Sequence, residues 1–191
     1  MLEDRGYVDG WRLTAPGLLL AGIYHESDLL VAEAVRRGLL DGLEPALLAG
    51  VVSGLTFEAR RAGDDLPDPR PKVVAERLYR LEELAAGLRA DERRHGLRRT
   101  RRPDGGLATA VVAWARGGLL SAVLRECEVA PGDFVRNVRQ LIDLVRQIAQ
   151  MAPDPATAAA ADLAVALVRR GVVAADDPAP LGSAPGGSNR S

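Results

Sequence analysis

Gly132-Asp133-Phe134-Val135-Arg136-Asn137-Val138-Arg139-Gln140-Leu141-Ile142-Asp143-Leu144-Val145-Arg146-Gln147-Ile148-Ala149-Gln150-Met151 keeps one helical period over its whole length. At ~100° per residue, Arg136, Arg139, Gln140, Asp143, Arg146, Gln147 and Gln150 fall within an arc of roughly 120°. Phe134, Val135, Val138, Leu141, Ile142, Leu144, Val145 and Ile148 fill the rest. A helix that is apolar over two-thirds of its circumference is wrapped by neighbours. The pattern therefore predicts the central helix of a bundle, with a single narrow polar stripe.

The flanking sequence extends the bundle in both directions. Ser27 is placed to cap a helix over Asp28 to Arg37, with Gly38 just past its end. Pro45 opens a second helix running to about Arg61, with Leu47, Leu48, Val51, Val52 and Leu55 at helical spacing. Residues 62–71, rich in Asp, Gly and Pro, read as a loop. A long third helix follows to about Arg94, striped by Val74, Leu78, Leu81, Leu84 and Leu88, and Gly96 ends it. Beyond the basic stretch that follows, Leu107 to Arg116 and Leu120 to Cys127 read as two short helices broken at Gly117-Gly118, and Ala156 to Arg170 as an alanine-rich one.

At the N-terminal end, Tyr7-Val8-Asp9-Gly10-Trp11-Arg12 holds the Asp-Gly signal of a tight hairpin. Met1 to Arg5 reads as the last turn of a helix, so residues 1–24 are expected to be hairpin and linker, the remnant of a preceding domain. Its loss is expected to leave an apolar surface exposed around Tyr7, Trp11 and the helix from Asp28. Residues 25–175 then form the bundle, and residues 176–191, with little to bury, a disordered tail. The fold class is all-α, a helical bundle with a small N-terminal β-hairpin.

Composition agrees with this class and narrows the function. Of 191 residues, 47% are hydrophobic but only 4% aromatic, a mix that favours helices packed through aliphatic side chains. Net charge is −1, so no global field draws the chain onto nucleic acid or an anionic membrane, and any RNA contact must come from a local patch. Lys72 is the sole lysine, and arginine supplies the remaining cationic side chains. Arginine suits bidentate phosphate contacts and base stacking, although a GC-rich genome produces the same bias. Cys127 stands alone, which rules out an internal disulfide and suits a cytoplasmic protein. No apolar run is long enough to span a bilayer, and no membrane partner is expected.

Catalytic motifs are missing from the sequence. The lone lysine lies in Arg70-Pro71-Lys72-Val73 without the glycine loop of a phosphate-binding motif. Asp91-Glu92-Arg93-Arg94-His95 superficially resembles an acidic helicase box, but its histidine is one place too late and it ends an amphipathic helix. His25, His95 and Cys127 lie in different elements without ligand-like spacing, so neither a metal site nor a catalytic residue is assigned. Two basic features remain. The stripe of Arg136, Arg139 and Gln140 could meet a single strand through phosphates and bases, or be a solvated face. The run Arg93 to Arg102 could be a phosphate-binding lip, or a loop neutralised by Asp91, Glu92 and Asp104.

Several segments, in order, resemble one family. They are Gly6-Tyr7-Val8, Leu13-Thr14, Ile23-Tyr24-His25-Glu26-Ser27-Asp28-Leu29-Leu30, Ala32-Glu33 with Arg37-Gly38, and Val52 through Arg61. Glu92 to Leu97, Trp114-Ala115-Arg116-Gly117 and Gly132 to Leu144 continue the series. The likeness, from about Leu2 to Ala175, is to the DSHCT domain, the C-terminal helical domain of superkiller-type DExH-box RNA helicases, and within these to the actinobacterial HelY type.

The resemblance implies an accessory domain of an ATP-dependent RNA helicase in RNA processing, a bundle packed on ATPase core domains, with a ratchet-like helix along the path of single-stranded RNA. It implies that Gly132 to Met151 is that helix, with Arg136, Arg139 and Gln140 nearest RNA, and that Arg60 and Arg61 lie near the strand too. No cofactor is expected in this chain, since ATP and Mg belong to the parent helicase. An RNA-degrading nuclease is a further expected partner. Three departures stand out: Gln140 follows Arg139 where paired basic residues are usual, Leu119 stands where the family tends to have a serine cap, and Arg98 to Arg102 is unusually basic. The alternatives are a stand-alone RNA-binding module acting in trans and a purely structural interaction module. A reading frame continuing upstream of Met1 into ATPase motifs separates the first reading from both.

Overall fold

The computed structural model describes residues 1–58, 70–127 and 129–175. A two-stranded antiparallel hairpin, β1 (Val8–Asp9) and β2 (Arg12–Leu13), opens the chain, pairing Val8 with Leu13 and Asp9 with Arg12. Its loop is thus Gly10-Trp11, one residue beyond the Asp-Gly step. Gly10 takes φ +55°, a conformation that a side chain strains.

Eight α-helices follow among the described residues: α1 (Ala15–Ala21), α2 (Asp28–Arg36), α3 (Pro45–Thr56), α4 (Lys72–Arg94), α5 (Ala108–Ala115), α6 (Leu120–Glu126), α7 (Pro131–Met151) and α8 (Pro155–Val168). The sequence reading misses α1, because Pro16 and Gly17 read as a linker. Pro16 in fact sits in the first turn, where a missing N–H costs nothing, and the Thr14 hydroxyl accepts from Gly17 N–H as an N-cap. Ser27 precedes α2 without a capping bond from its side chain, and Asp28 accepts from Leu29 N–H instead.

The centre of the bundle is α3, not α7 as its wrapped pattern suggests. Ten of the twelve α3 residues are buried, and the helix packs against α4, α5, α7 and α8. Leu48, Val51 and Val52 are fully enclosed. α7 lies at one side, held mainly by α8 and α3. Its apolar face is buried from Phe134 to Ile148, and the Trp114 ring meets Phe134 edge-on at 5.8 Å. The physical difference is that α3 is apolar all round and built with small residues, so neighbours approach from every direction. α7 keeps its polar stripe in water.

α3 also ends earlier than its pattern suggests, at Thr56 rather than near Arg61. The five-leucine-and-valine stripe of α4 is buried as expected, at Val74, Leu78, Leu81, Leu84 and Leu88. The expected exposed apolar surface is not found at Tyr7 or α2: Tyr7 is 1% exposed and Leu29, Leu30, Val31, Ala32, Ala34 and Val35 are buried. α1 packs on α2, Tyr7 reaches Glu33 of the same helix, and Leu19 and Ile23 join the same core. Trp11 alone of that group is fully exposed; Leu13 and Leu18 are exposed as well. No described helix is long and apolar enough to cross a membrane. The expected tail, residues 176–191, lies outside the described residues.

Candidate nucleic-acid interface

The exposed arc of α7 is built as the sequence period dictates. Arg136, Gln140, Asp143, Arg146 and Gln150 are exposed, and Arg139 and Gln147 half-buried at its edges. Arg136 pairs with Asp133 at 2.9 Å, and Arg146 lies 3.8 Å from Asp143. Both are single-turn pairs at the surface, worth at most about 0.5 kcal/mol, so these arginines can exchange their partners for a ligand at little cost.

This arc forms one wall of a cleft of about 880 Å³. Arg136, Asn137, Gln140, Asp143 and Gln147 face Tyr24, His25 and Glu26 from the α1–α2 connection, with Thr56, Glu58 and Arg101 closing one end. The opposite wall is fixed to α7 by Tyr24 N–H, which donates to Gln147 Oε1 at 2.6 Å. The Tyr24 ring, 82% exposed, is left free to meet a planar ligand. His25 Nδ1 accepts from Ser27 N–H at 3.1 Å. Burial holds its pKa below the usual imidazole value, aided by Arg101 and opposed by Glu26 and Asp28, so the ring is neutral at neutral pH.

Arg101 pins the closed end. Its guanidinium pairs with Glu26 at 3.2 Å and Glu58 at 3.3 Å and donates to the Leu55 carbonyl at 2.7 Å. On the other side of α7, Arg136, Arg139 and Gln140 share a shallower depression of about 460 Å³ with Leu120, Val135 and Val172. The three α7 residues singled out in the sequence thus lie together, between two clefts. Arg60 and Arg61 lie outside the described residues.

Tyr24, His25, Asn137 and Arg101 line the cleft without having been picked out as site residues. Tyr24 and His25 stand in the densest stretch of the family resemblance, which was the available signal. Asn137 is 8% exposed and donates to the Asp133 carbonyl, and no period separates such a residue from a polar misfit in an apolar face. Three carboxylates, Glu26, Glu58 and Asp143, share the main cleft with its two arginines. The surface is therefore mixed and amide-rich, suited to directed hydrogen bonds as well as phosphate attraction.

Comparison with known proteins agrees with the resemblance. "Probable helicase HelY" of Mycobacterium leprae is 45% identical over 186 residues, covering 90% of this chain and 20% of that protein. "Probable helicase HelY" of Mycobacterium tuberculosis H37Rv is 41% identical over 194 residues, covering 92% and 21%. "DExH-box ATP-dependent RNA helicase DExH15 chloroplastic" of Arabidopsis thaliana is 31% identical over 157 residues, covering 77% and 13%. The chain spans about a fifth of the length of the HelY relatives. Residues 10–175 match the DSHCT (NUC185) domain, and the chain belongs to that family.

Proposed function

We propose that this chain is the C-terminal accessory domain of an ATP-dependent DExH-box RNA helicase, packing on an ATPase core and bordering the path of single-stranded RNA. The observation that carries the reading is the α7 arc: arginines and glutamines on the one water-facing stripe of an otherwise buried helix, forming the wall of a cleft with an exposed tyrosine opposite. Guanidinium groups meet phosphates, amides meet base edges, and an aromatic ring offers a stacking face. The names of the relatives support the helicase setting. Trp11, Leu13 and Leu18 are each exposed in the hairpin and α1, apolar surface of the kind that a second domain can cover. Nucleotide and Mg chemistry are assigned to the core, and cytoplasmic RNA processing is the setting that follows.

The test uses the whole helicase containing this domain. Arg136→Gln with Arg139→Gln keeps the stripe polar, so folding by circular dichroism should be unchanged. The log-log salt slope of single-strand binding should flatten by about 1.4 units if each arginine neutralises one phosphate. Unwinding should slow as well. Unchanged affinity, slope and unwinding in a normally folded variant would show that the stripe is a solvated face, and would favour a purely structural role.

A further inference from the structure

We propose that the loop Arg98–Arg102 is a second phosphate-binding site, taking the backbone of the single strand where it runs beyond the α7 cleft. The proposal rests on the reading of α7 given above and extends it along the molecule.

The loop lies over a second cleft, about 700 Å³, lined by Arg89, Arg98, Arg99, Arg101 and Arg102. This cleft shares Glu26, Glu58 and Arg101 with the α7 cleft, so the two are neighbours across one partition. The α7 arc and the basic loop, far apart in sequence, lie on either side of that partition. A strand along α7 that passes Arg101 arrives at the loop.

Neutralisation by nearby carboxylates was the competing expectation, and the structure engages those carboxylates in contacts of their own. Asp91 is engaged by Arg5 and Arg94. Glu92 is buried, accepting from the Thr100 N–H at 2.7 Å and from the Thr100 hydroxyl. Asp104 accepts from Gly106 N–H at 2.9 Å. Glu26 and Glu58 are held by Arg101. Arg98, Arg99 and Arg102 are exposed, with no ion pair among the described residues. Asp28 and Glu92 are the cleft carboxylates without an ion pair among the described residues.

The loop is also held in place before any ligand arrives. Thr100 is anchored on Glu92, and Arg89 donates to the Thr100 carbonyl at 3.3 Å. Arg101 is tied to the end of α3. The residues pointing inward fix the backbone, and the three arginines beside them stay in water. Binding then costs less ordering than it would from a floppy basic segment.

The experiment uses the full 191-residue chain and labelled oligouridylate of two lengths, about 4 and about 16 nucleotides, which bracket usual single-strand site sizes. The triple change Arg98→Gln, Arg99→Gln, Arg102→Gln should leave binding of the short probe unchanged. It should flatten the salt slope for the long probe by about 2 units, at ~0.7 per phosphate. The corresponding triple change to lysine should restore the slope, which identifies charge rather than folding as the cause. Arg136→Gln with Arg139→Gln should weaken both probes. If the triple glutamine variant binds the long probe with the parent's slope, the proposal is overturned. Equal loss on both probes overturns the order along the strand. Loss in the triple variant with none in the α7 variant overturns the α7 reading while supporting the loop as an anion site, and no salt-dependent binding by the parent chain overturns both.

Discussion

The Tyr7 hydroxyl donates to Glu33 Oε1 at 3.0 Å, joining the N-terminal hairpin to a carboxylate with no exposed surface. Arg36 donates to both Glu33 oxygens at 3.0 Å, Arg37 to Oε2 at 2.9 Å, and Arg5 approaches Oε1 at 3.4 Å. The Arg36 guanidinium also sits 5.9 Å from the Tyr7 ring centre. Removing one partner of a buried charge network typically costs about 3–5 kcal/mol. Arg36 and Arg37 retain access to water, which softens the loss. Glu33→Gln should therefore cost about 2 kcal/mol, read as a lower urea midpoint with an unchanged slope.

The same network sets a pH dependence. Burial alone would raise the Glu33 pKa, but hydrogen bonds from Arg36 and Tyr7 and the charges of Arg36 and Arg37 outweigh it and hold the carboxyl below the ordinary 4.5. A depressed folded-state pKa gives stability that is present above the unfolded value and lost as pH falls through the folded one. Tyr7 moves the other way, raised above its ordinary 10.0 by burial and by the adjacent Glu33 charge and hydrogen bond. Its contribution is complete below pH 10.0 and lost as pH rises. Urea midpoints measured from about pH 7 down to about pH 3 should fall less steeply in Glu33→Gln than in the parent. Tyr7→Phe should flatten the alkaline limb instead.

Three glycines separate backbone contact from side-chain contact. A Cβ on Gly17 would lie 2.1 Å from the Tyr7 carbonyl oxygen, which is fixed by bonds from the Thr14 N–H and hydroxyl. At Gly50 it would meet Val112 Cγ2 at 2.5 Å, a branched side chain with few rotamers, and at Gly54 the terminal Cδ2 of Leu78, also at 2.5 Å. Alanine gains up to about 1 kcal/mol over glycine inside a helix. Gly54→Ala should therefore be near neutral, Gly50→Ala should cost about 1–2 kcal/mol of overpacking, and Gly17→Ala more than either. Thermal melts of the three variants check the order. A Gly17→Ala protein as stable as the parent would contradict the close contact of α1 with the hairpin.

Periodicity made the helices legible, because stripes such as Val74 to Leu88 report burial directly. It did not rank them. α7 announces itself by contrast between its faces, whereas α3, apolar throughout, has little contrast and yet is the helix on which α4, α5, α7 and α8 all pack. Glu33 was legible only through the family resemblance, since nothing local says that a carboxylate at that position will meet Arg5 from across the fold. The α7 residues of the candidate interface were readable for the same reason as the helix. The partition at Arg101 was not, because Glu26, Glu58 and Arg101 lie on three separate segments that only tertiary structure brings together.

Leu119 is where a departure from the family pattern has a measurable physical cost. It holds the N-cap position of α6 with φ −67° and ψ 139°, the extended geometry that a capping serine adopts, yet its side chain caps nothing. The Leu119 carbonyl already accepts from Ala122 and Val123 N–H, so the helix start is formed, and what it lacks is a side-chain acceptor for the first-turn donors. The leucine is 73% exposed and loses little packing when replaced. Leu119→Ser should stabilise the chain by about 1 kcal/mol, the usual difference between a serine cap and an aliphatic residue. For a domain of this size that is a rise of about 2–4 °C in Tm. Leu119→Ala, which removes the exposed surface without adding an acceptor, separates the two effects. A gain with serine and none with alanine assigns the stabilisation to the cap; equal gains assign it to the loss of exposed leucine, and no gain with serine means that water already satisfies the α6 donors.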